Sequence, residues 1–345
     1  MNFEIITDPQ QLLILGWDEF INAHPEGTVF QSPVMYELFK ETERMKPAVF
    51  GLVNKETGEL KGILMGVIIR ELKGLAGYLS SRTVIYGGPL IDPADPGREE
   101  ILRLLLESLI NKVKHHSIFI QFRNFNNQED YTGIFKENGF YYRARLNLIV
   151  NTSSLETIHS KMSSSRLRQV RKGIGLGARC IVPENVGQVR AFYDILFNLY
   201  RYKVKKPLPA WDFFEQFFNL SKEGKLGIIR LVKYQDRIIG GILSPVTPGK
   251  TIYEWYVCGL DHEFKAVYPS VLATWAAIEY ALKNKIPQFD FMGVGIPERE
   301  YGVREFKSRF GGEQVNYGRY ARINNRFFFI ISEVGYNFMT LMKKI

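Results

Sequence analysis

The segments Leu226-Gly-Ile-Ile-Arg-Leu-Val-Lys-Tyr234 and Arg237-Ile-Ile-Gly-Gly-Ile-Leu-Ser-Pro-Val246 are apolar, β-branched runs separated by the polar pair Gln235-Asp236. Two such runs around a two-residue turn predict a β-hairpin. Working outward, Thr251–Leu260 reads as a further strand, Ser270–Asn284 as a helix and Gln288–Met292 as a strand, while Glu184–Tyr202 upstream has apolar residues at helical spacing. The same order occurs once before. Pro9–Ala23 and Ser32–Glu43 read as helices, the second opened by Ser32 at its N-cap and Pro33 in its first turn. Ala48–Asn54 and Leu60–Ile69 then form a hairpin around Lys55-Glu-Thr-Gly58, Ala76–Tyr86 is extended, Arg98–His115 is helical, and Ser117–Phe122 is a strand. One supersecondary plan is used twice, without the residue-level periodicity of a solenoid. The pattern predicts an α/β (α+β) protein in which each half is a mixed, mostly antiparallel sheet flanked by helices.

At 345 residues the chain exceeds the size at which one core usually stops growing, about 250–300 residues. The polar break at Asn151–Ser154 divides it into a domain over 1–150 and a second over 151–316. A hydrophobic content of 46% supplies two packed cores and excludes general disorder. Cys180 and Cys258 are too few for a disulfide framework, which points to a reducing, cytoplasmic setting. Glu4 and Asp8 interrupt the opening residues, so no signal peptide is expected, and no apolar run nears the ~20 residues of a membrane helix. The basic end Phe327–Ile345 reads as a packed terminal helix or a peripheral contact with an anionic surface.

A formal charge of +9 favours polyanionic partners: a phosphate-bearing small molecule, a nucleic acid or a lipid surface. The cations concentrate in Arg166–Lys172, Arg201–Lys206 and Arg299–Arg309. The five histidines form no metal-ligand pattern with Cys or Asp, and there is no nucleophile elbow or phosphate-binding Walker loop. Metal, hydrolase and ATPase chemistry are therefore not expected.

The most informative chemical stretch is Phe289-Asp-Phe-Met-Gly293 followed by Gly302 and Phe306-Lys307-x-x-Phe310-Gly311-Gly312, a strand that opens into a glycine-containing loop and a short basic helix. With Phe30-Gln31-Ser32-Pro33, Tyr86-Gly87-Gly88-Pro89-Leu90, Ser165-Arg166-Leu167-Arg168-Gln169-Val170-Arg171-Lys172 and Tyr268-Pro269-Ser270, it resembles the FemABX-type peptidyltransferases and their GNAT-like relatives. Those enzymes transfer amino acids from aminoacyl-tRNA to peptidoglycan precursors. The resemblance implies two tandem GNAT-like domains with the active cleft between them, the second on the acyl-donor side and the first on the acceptor side. It also implies that 317–345 folds back onto the first domain.

By itself Lys307 reads as a solvated cation flanked by Arg304 and Arg309; the motif instead places it near the reacting carbonyl, where it can stabilise an oxyanion. On Thr251–Leu260, Glu254 and Tyr256 are candidates to relay the amine proton, against a plain reading as one face of an alternating strand. Arg168 and Arg171 suit phosphates of tRNA or of a nucleotide-linked acceptor, and Lys40 stands near a family lysine as a further phosphate candidate. Phe306 and Tyr268, as motif positions, are assigned to substrate binding. The family's Asp-Pro after the first-domain strand is replaced by Arg123-Asn124, which puts a cation, Arg123, in the acceptor cleft.

No cofactor is expected; the acyl donor, aminoacyl-tRNA or acyl-CoA, is a co-substrate. The loop Asp261-His-Glu-Phe-Lys-Ala-Val-Tyr-Pro-Ser270 lacks the glycines that let helix amides hold a CoA pyrophosphate, which disfavours CoA there. Gly173-Ile-Gly-Leu-Gly177 follows a basic helix and reads as its terminator. The expected reaction is amide formation by direct attack on an aminoacyl or acyl group, with the amine on a cell-wall or related precursor. The alternatives are an N-acyltransferase using acyl-CoA or a carrier in polysaccharide or lipid biosynthesis, and a non-catalytic binding protein of the same fold.

Overall fold

The hairpin at the centre of the second half forms through a two-residue turn: Tyr234 pairs with Arg237, and Gln235 and Asp236 have positive φ of 47° and 60°. That conformation matches the right-handed twist of the strands it joins. The computed structural model describes residues 2–299 and 301–332. They form two units, one from the residues up to Ala144 plus those described from Tyr317 on, the other from Arg145–Asn316.

The sheet of the first unit has the strand order Phe3–Ile6, Met45–Asn54, Leu60–Ile69, Arg82–Tyr86, Phe119–Arg123, Arg319–Ile323, Tyr141–Arg143. Arg82–Tyr86 and Phe119–Arg123 run parallel, and the other neighbours in this order run antiparallel. The helix Arg98–Val113 lays Ile101, Leu102, Leu105, Leu106 and Leu109 on this sheet, all fully buried.

In the second unit the order is Glu313–Asn316, Leu146–Asn151, Gln288–Gly293, Thr251–Tyr253, Arg237–Thr247, Gly227–Tyr234, Arg179–Ile181. Again one pair is parallel, Thr251–Tyr253 with Gln288–Gly293. The helix Pro269–Lys283 covers it with Leu272, Ala273, Ala277, Ile278 and Ala281, all fully buried. The alanines let the helix lie close to the sheet.

Several sequence expectations change. The domain break lies after Ala144 rather than near 150, because Leu146–Asn151 pairs with Gln288–Gly293 and with Glu313–Asn316. Pro9–Ala23 is two helices, Pro9–Ile14 and Trp17–Ala23, split at Gly16 with φ 82°. Ala76–Tyr86 is extended only from Arg82; Gly74–Leu79 is helical. The aromatic helix Trp211–Lys222, which buries Phe213, Phe214, Phe217 and Phe218, was not anticipated. Residues 326–332 are helical, and the rest of the basic end, 333–345, lies outside the described residues. Among the described residues no helix is long and apolar enough to cross a membrane, and no group of three or more His, Cys, Asp and Glu side chains is placed to hold a metal ion.

Candidate active site

Thr251–Leu260 is not one continuous strand. Val246 pairs with Ile252, yet Leu243 pairs with Tyr256, so three residue steps on Arg237–Thr247 match four on its partner. The additional residue makes a β-bulge at Glu254-Trp255, which breaks the predicted alternation of faces. On the other side, Tyr253 lies opposite Asp290, and the Glu254 N–H donates to the Asp290 carbonyl at 2.9 Å. Beyond that bond the described pairing with Gln288–Gly293 ends, while Tyr256–Gly259 continues beside Arg237–Thr247. The sheet opens into a fork with Glu254 at its apex.

Lys307, on the helix Gly302–Ser308, reaches this apex. Its Nζ lies 3.0 Å from Glu254 Oε1 and donates to the Phe291 carbonyl at 2.8 Å. Thr274 Oγ1, from the covering helix, donates to Glu254 Oε2 at 3.1 Å. Glu254 is 4% exposed and the Lys307 side chain 11%. A buried ion pair commonly adds no more stability than apolar residues of similar volume, so packing alone does not account for it.

Below the pair lies Asp290, 2% exposed. Met292 N–H donates to its Oδ1 at 2.5 Å, and Asn147 Nδ2 to its Oδ2 at 3.2 Å. Burial pushes the Asp290 carboxyl up to about 7; those hydrogen bonds and the charge of Lys307 oppose the rise, and the charge of Glu254 adds to it. Met292 has φ 56°, a left-handed conformation unusual for a side chain of this size.

The helix that carries Lys307 is fixed at its C-terminal end. Arg166 is 3% exposed, not part of an exposed basic face, with its guanidinium 4.4 Å from the Phe306 ring and 4.5 Å from the Phe310 ring. It donates to the Phe306 carbonyl at 2.7 Å and to Gln169 Oε1 at 2.8 Å. Burial lowers its guanidinium to about 10, and Arg309 adds to that. Gly311 and Gly312 have φ 84° and 104°, and a Cβ on Gly312 would lie 2.8 Å from the Ile149 carbonyl. The Phe-Gly-Gly of the motif is thus a tight turn packed on the neighbouring strand.

The other predicted site residues are distributed more widely. Tyr256 packs in an aromatic group with Tyr200, Phe213, Phe214 and Trp255. Tyr268 is the N-cap of Pro269–Lys283 with φ 59°, and Lys172 Nζ lies 6.0 Å from its ring. Arg168 and Arg171 line an open depression with Ser164, Leu167 and Lys172. Phe306 lies against Arg166. In the first unit, Arg123 donates to the Tyr86 hydroxyl at 3.2 Å and to Gln121 Oε1 at 3.1 Å, while Lys40 is exposed and 3.0 Å from Glu37. Gly173 lies inside its helix, Ser164–Gly175, rather than at its end, and a Cβ there would lie 2.4 Å from the Val267 carbonyl.

The amides at the start of Pro269–Lys283 are occupied by protein. Asp261 Oδ1 accepts from Ser270 N–H at 3.1 Å, and its other oxygen accepts from the Ser270 hydroxyl. Sequence reasoning did not assign roles to Asp290, Asn147, Thr274 or Asp261. Asp290 alone left a signal, a carboxylate inside the apolar run Phe289–Met292.

Residues 161–308, most of the second unit, match the family described as Acetyltransferase (GNAT) domain. The chain as a whole is similar to the crystal structure of FemX, with TM-score 0.70 and 15% identity over 96% of this chain and 100% of that one. It is similar also to L-PGS from Bacillus licheniformis (TM-score 0.57, 12% identity, 94% of this chain and 96% of that one). A third likeness is to a tandem GNAT protein from the clavulanic acid biosynthesis pathway (TM-score 0.58, 10% identity, 94% and 99%). None of the curated proteins compared with it matches in sequence. The fold is therefore a FemAB-like tandem of two GNAT-type sheets. At such identities the likeness is one of fold, so any assignment of chemistry has to be argued from the residues at the fork.

Proposed function

We propose that this chain transfers an aminoacyl group from aminoacyl-tRNA to an amine on a phosphate-bearing cell-wall or related precursor, with the reacting carbonyl held at the fork of the GNAT domain. The observation that carries this reading is the buried Lys307–Glu254 pair at the bulge, 3.0 Å apart. An ammonium has three donors, and two of those on Lys307 point to Glu254 and to the Phe291 carbonyl. The third is assigned to the ester carbonyl of the donor. As the amine nitrogen bonds to that carbon, negative charge develops on the carbonyl oxygen, and Lys307 stabilises it in a site where water is scarce. Glu254 takes the proton the amine must lose. The ester C–O bond then breaks, and the departing ribose hydroxyl receives that proton.

An aminoacyl-tRNA donor is favoured over acyl-CoA by Asp261. Its carboxylate occupies the helix amide that would otherwise meet a pyrophosphate, and it would repel one. Arg168, Arg171 and Lys172, along the open depression, are assigned to phosphates of the tRNA.

Binding of the purified protein to charged tRNA and to acetyl-CoA, each at two salt concentrations, tests this. Salt-sensitive tRNA binding followed by loss of the aminoacyl group to an added amine acceptor is the expected result. Acetyl-CoA binding without affinity for tRNA would overturn it and favour the N-acyltransferase reading.

A further inference from the structure

We propose that Asp290 is a positioning residue for Lys307: its buried carboxylate holds the backbone turn at Met292 that presents the Phe291 carbonyl to the lysine. The inference rests on the fork being the reacting centre. A chain of contacts supports it. Asp290 Oδ1 takes the Met292 N–H at 2.5 Å, and this local bond matches the left-handed φ of 56° at Met292. Such a turn inside a strand interrupts the ladder, and the register with Leu146–Asn151 does shift between Asp290 and Gly293. The interruption frees the Phe291 carbonyl from strand pairing and leaves it to accept from Lys307 Nζ at 2.8 Å. Lys307 is thus held between a carbonyl placed by Asp290 and the carboxylate of Glu254.

The groups facing Asp290 are Asn147 from Leu146–Asn151, Glu254 from the bulge and Lys307 from Gly302–Ser308. Only the last two are charged. A protonated Asp290 is a weaker acceptor for the Met292 N–H and removes one negative charge from the surroundings of Lys307. The state of Asp290 therefore sets both the position and the field of the lysine. Because its carboxyl is pushed up to about 7, that change falls within the ordinary working range of an enzyme.

Two measurements test the proposal. Lysine side chains labelled with 13C, with Lys307→Arg used to assign the resonance, are followed through pH 5.5–8.5 without substrate. The Lys307 signal is expected to step near pH 7 in the wild type and to lose the step in Asp290→Asn. A flat Lys307 signal in the wild type would overturn the proposal, whether or not the variant folds. The second measurement is transfer rate against pH. Asp290→Asn is expected to lose at least about 10-fold in kcat, with little change in the KM for the donor, and to lose the inflection near 7. An unchanged profile at full rate would also overturn it. If the spectroscopic step is present and no aminoacyl transfer occurs, positioning by Asp290 stands and the reading of the donor fails.

Discussion

The two sheets have the same strand plan, yet among the described residues only the second places a buried ion pair where its parallel strands separate. In the first unit, Arg82–Tyr86 keeps register with Phe119–Arg123 along its whole length, from Arg82 opposite Phe119 to Tyr86 opposite Arg123. That pair ends in a guanidinium resting on a tyrosine, Arg123 lying 5.1 Å from the Tyr86 ring. In the second unit the parallel pairing lasts only from Thr251 to Tyr253, and the bulge that follows brings Glu254 to Lys307. Parallel strands in this topology are shared by both units; the extra residue and the buried carboxylates are what the second unit adds to them.

The strongest challenge to that contrast is Lys307→Ala. Turnover should fall by about 10²–10³-fold, the usual loss for one oxyanion donor, while circular dichroism stays native. An unaltered rate would place the reaction elsewhere than at this fork.

Next in size is Gly312→Ala. With φ at 104° and a new Cβ 2.8 Å from the Ile149 carbonyl, it should lower stability in urea by roughly 1–3 kcal/mol. If the turn only carries the helix of Lys307, kcat in the folded fraction should change far less than with Lys307→Ala.

A smaller effect concerns pH. The Asp290 carboxyl is raised from 3.8 to about 7 in the folded chain. The folded state therefore keeps a proton that the unfolded chain releases, and the stability this confers is present below 3.8 and lost as pH rises through 7. In urea titrations, wild type compared with Asp290→Asn should lose about 1 kcal/mol per pH unit within that window. A parallel pH dependence in both proteins would assign the titration to other groups.

The smallest change is expected from Arg123→Ala. It removes two hydrogen bonds and one cation–π contact, worth about 0.5–1 kcal/mol each at a half-exposed site. The KM for the acceptor should rise with kcat unchanged; a kcat loss like that of Lys307→Ala would erase the distinction between the two sheets.

Much of the fold is legible in the sequence because it is written locally. Both hairpins, the helix Arg98–Val113 and the helix Pro269–Lys283 follow from apolar spacing and turn residues. The unit boundary is not local: Leu146–Asn151 belongs to the second unit through partners more than a hundred residues away in Gln288–Gly293. Lys307 and Glu254 were readable as candidates from motif and strand, but their meeting depends on a one-residue bulge that hydrophobic alternation cannot register. Asp290 looks like a misplaced polar residue in an apolar strand until its neighbours are known. Its character comes from burial, and burial is a property of the folded unit.

The strand Arg319–Ile323 lies between Phe119–Arg123 and Tyr141–Arg143. During synthesis, every strand of the second unit's sheet is made before this one. The half of the chain that emerges first thus waits with a gap in its sheet, its strand edges unpaired, while the half made later can close. For this protein the usual vectorial order, N-terminal domain first, is inverted by topology, and a nascent chain stalled before residue 319 exposes two open β-edges that a chaperone or another nascent copy can occupy.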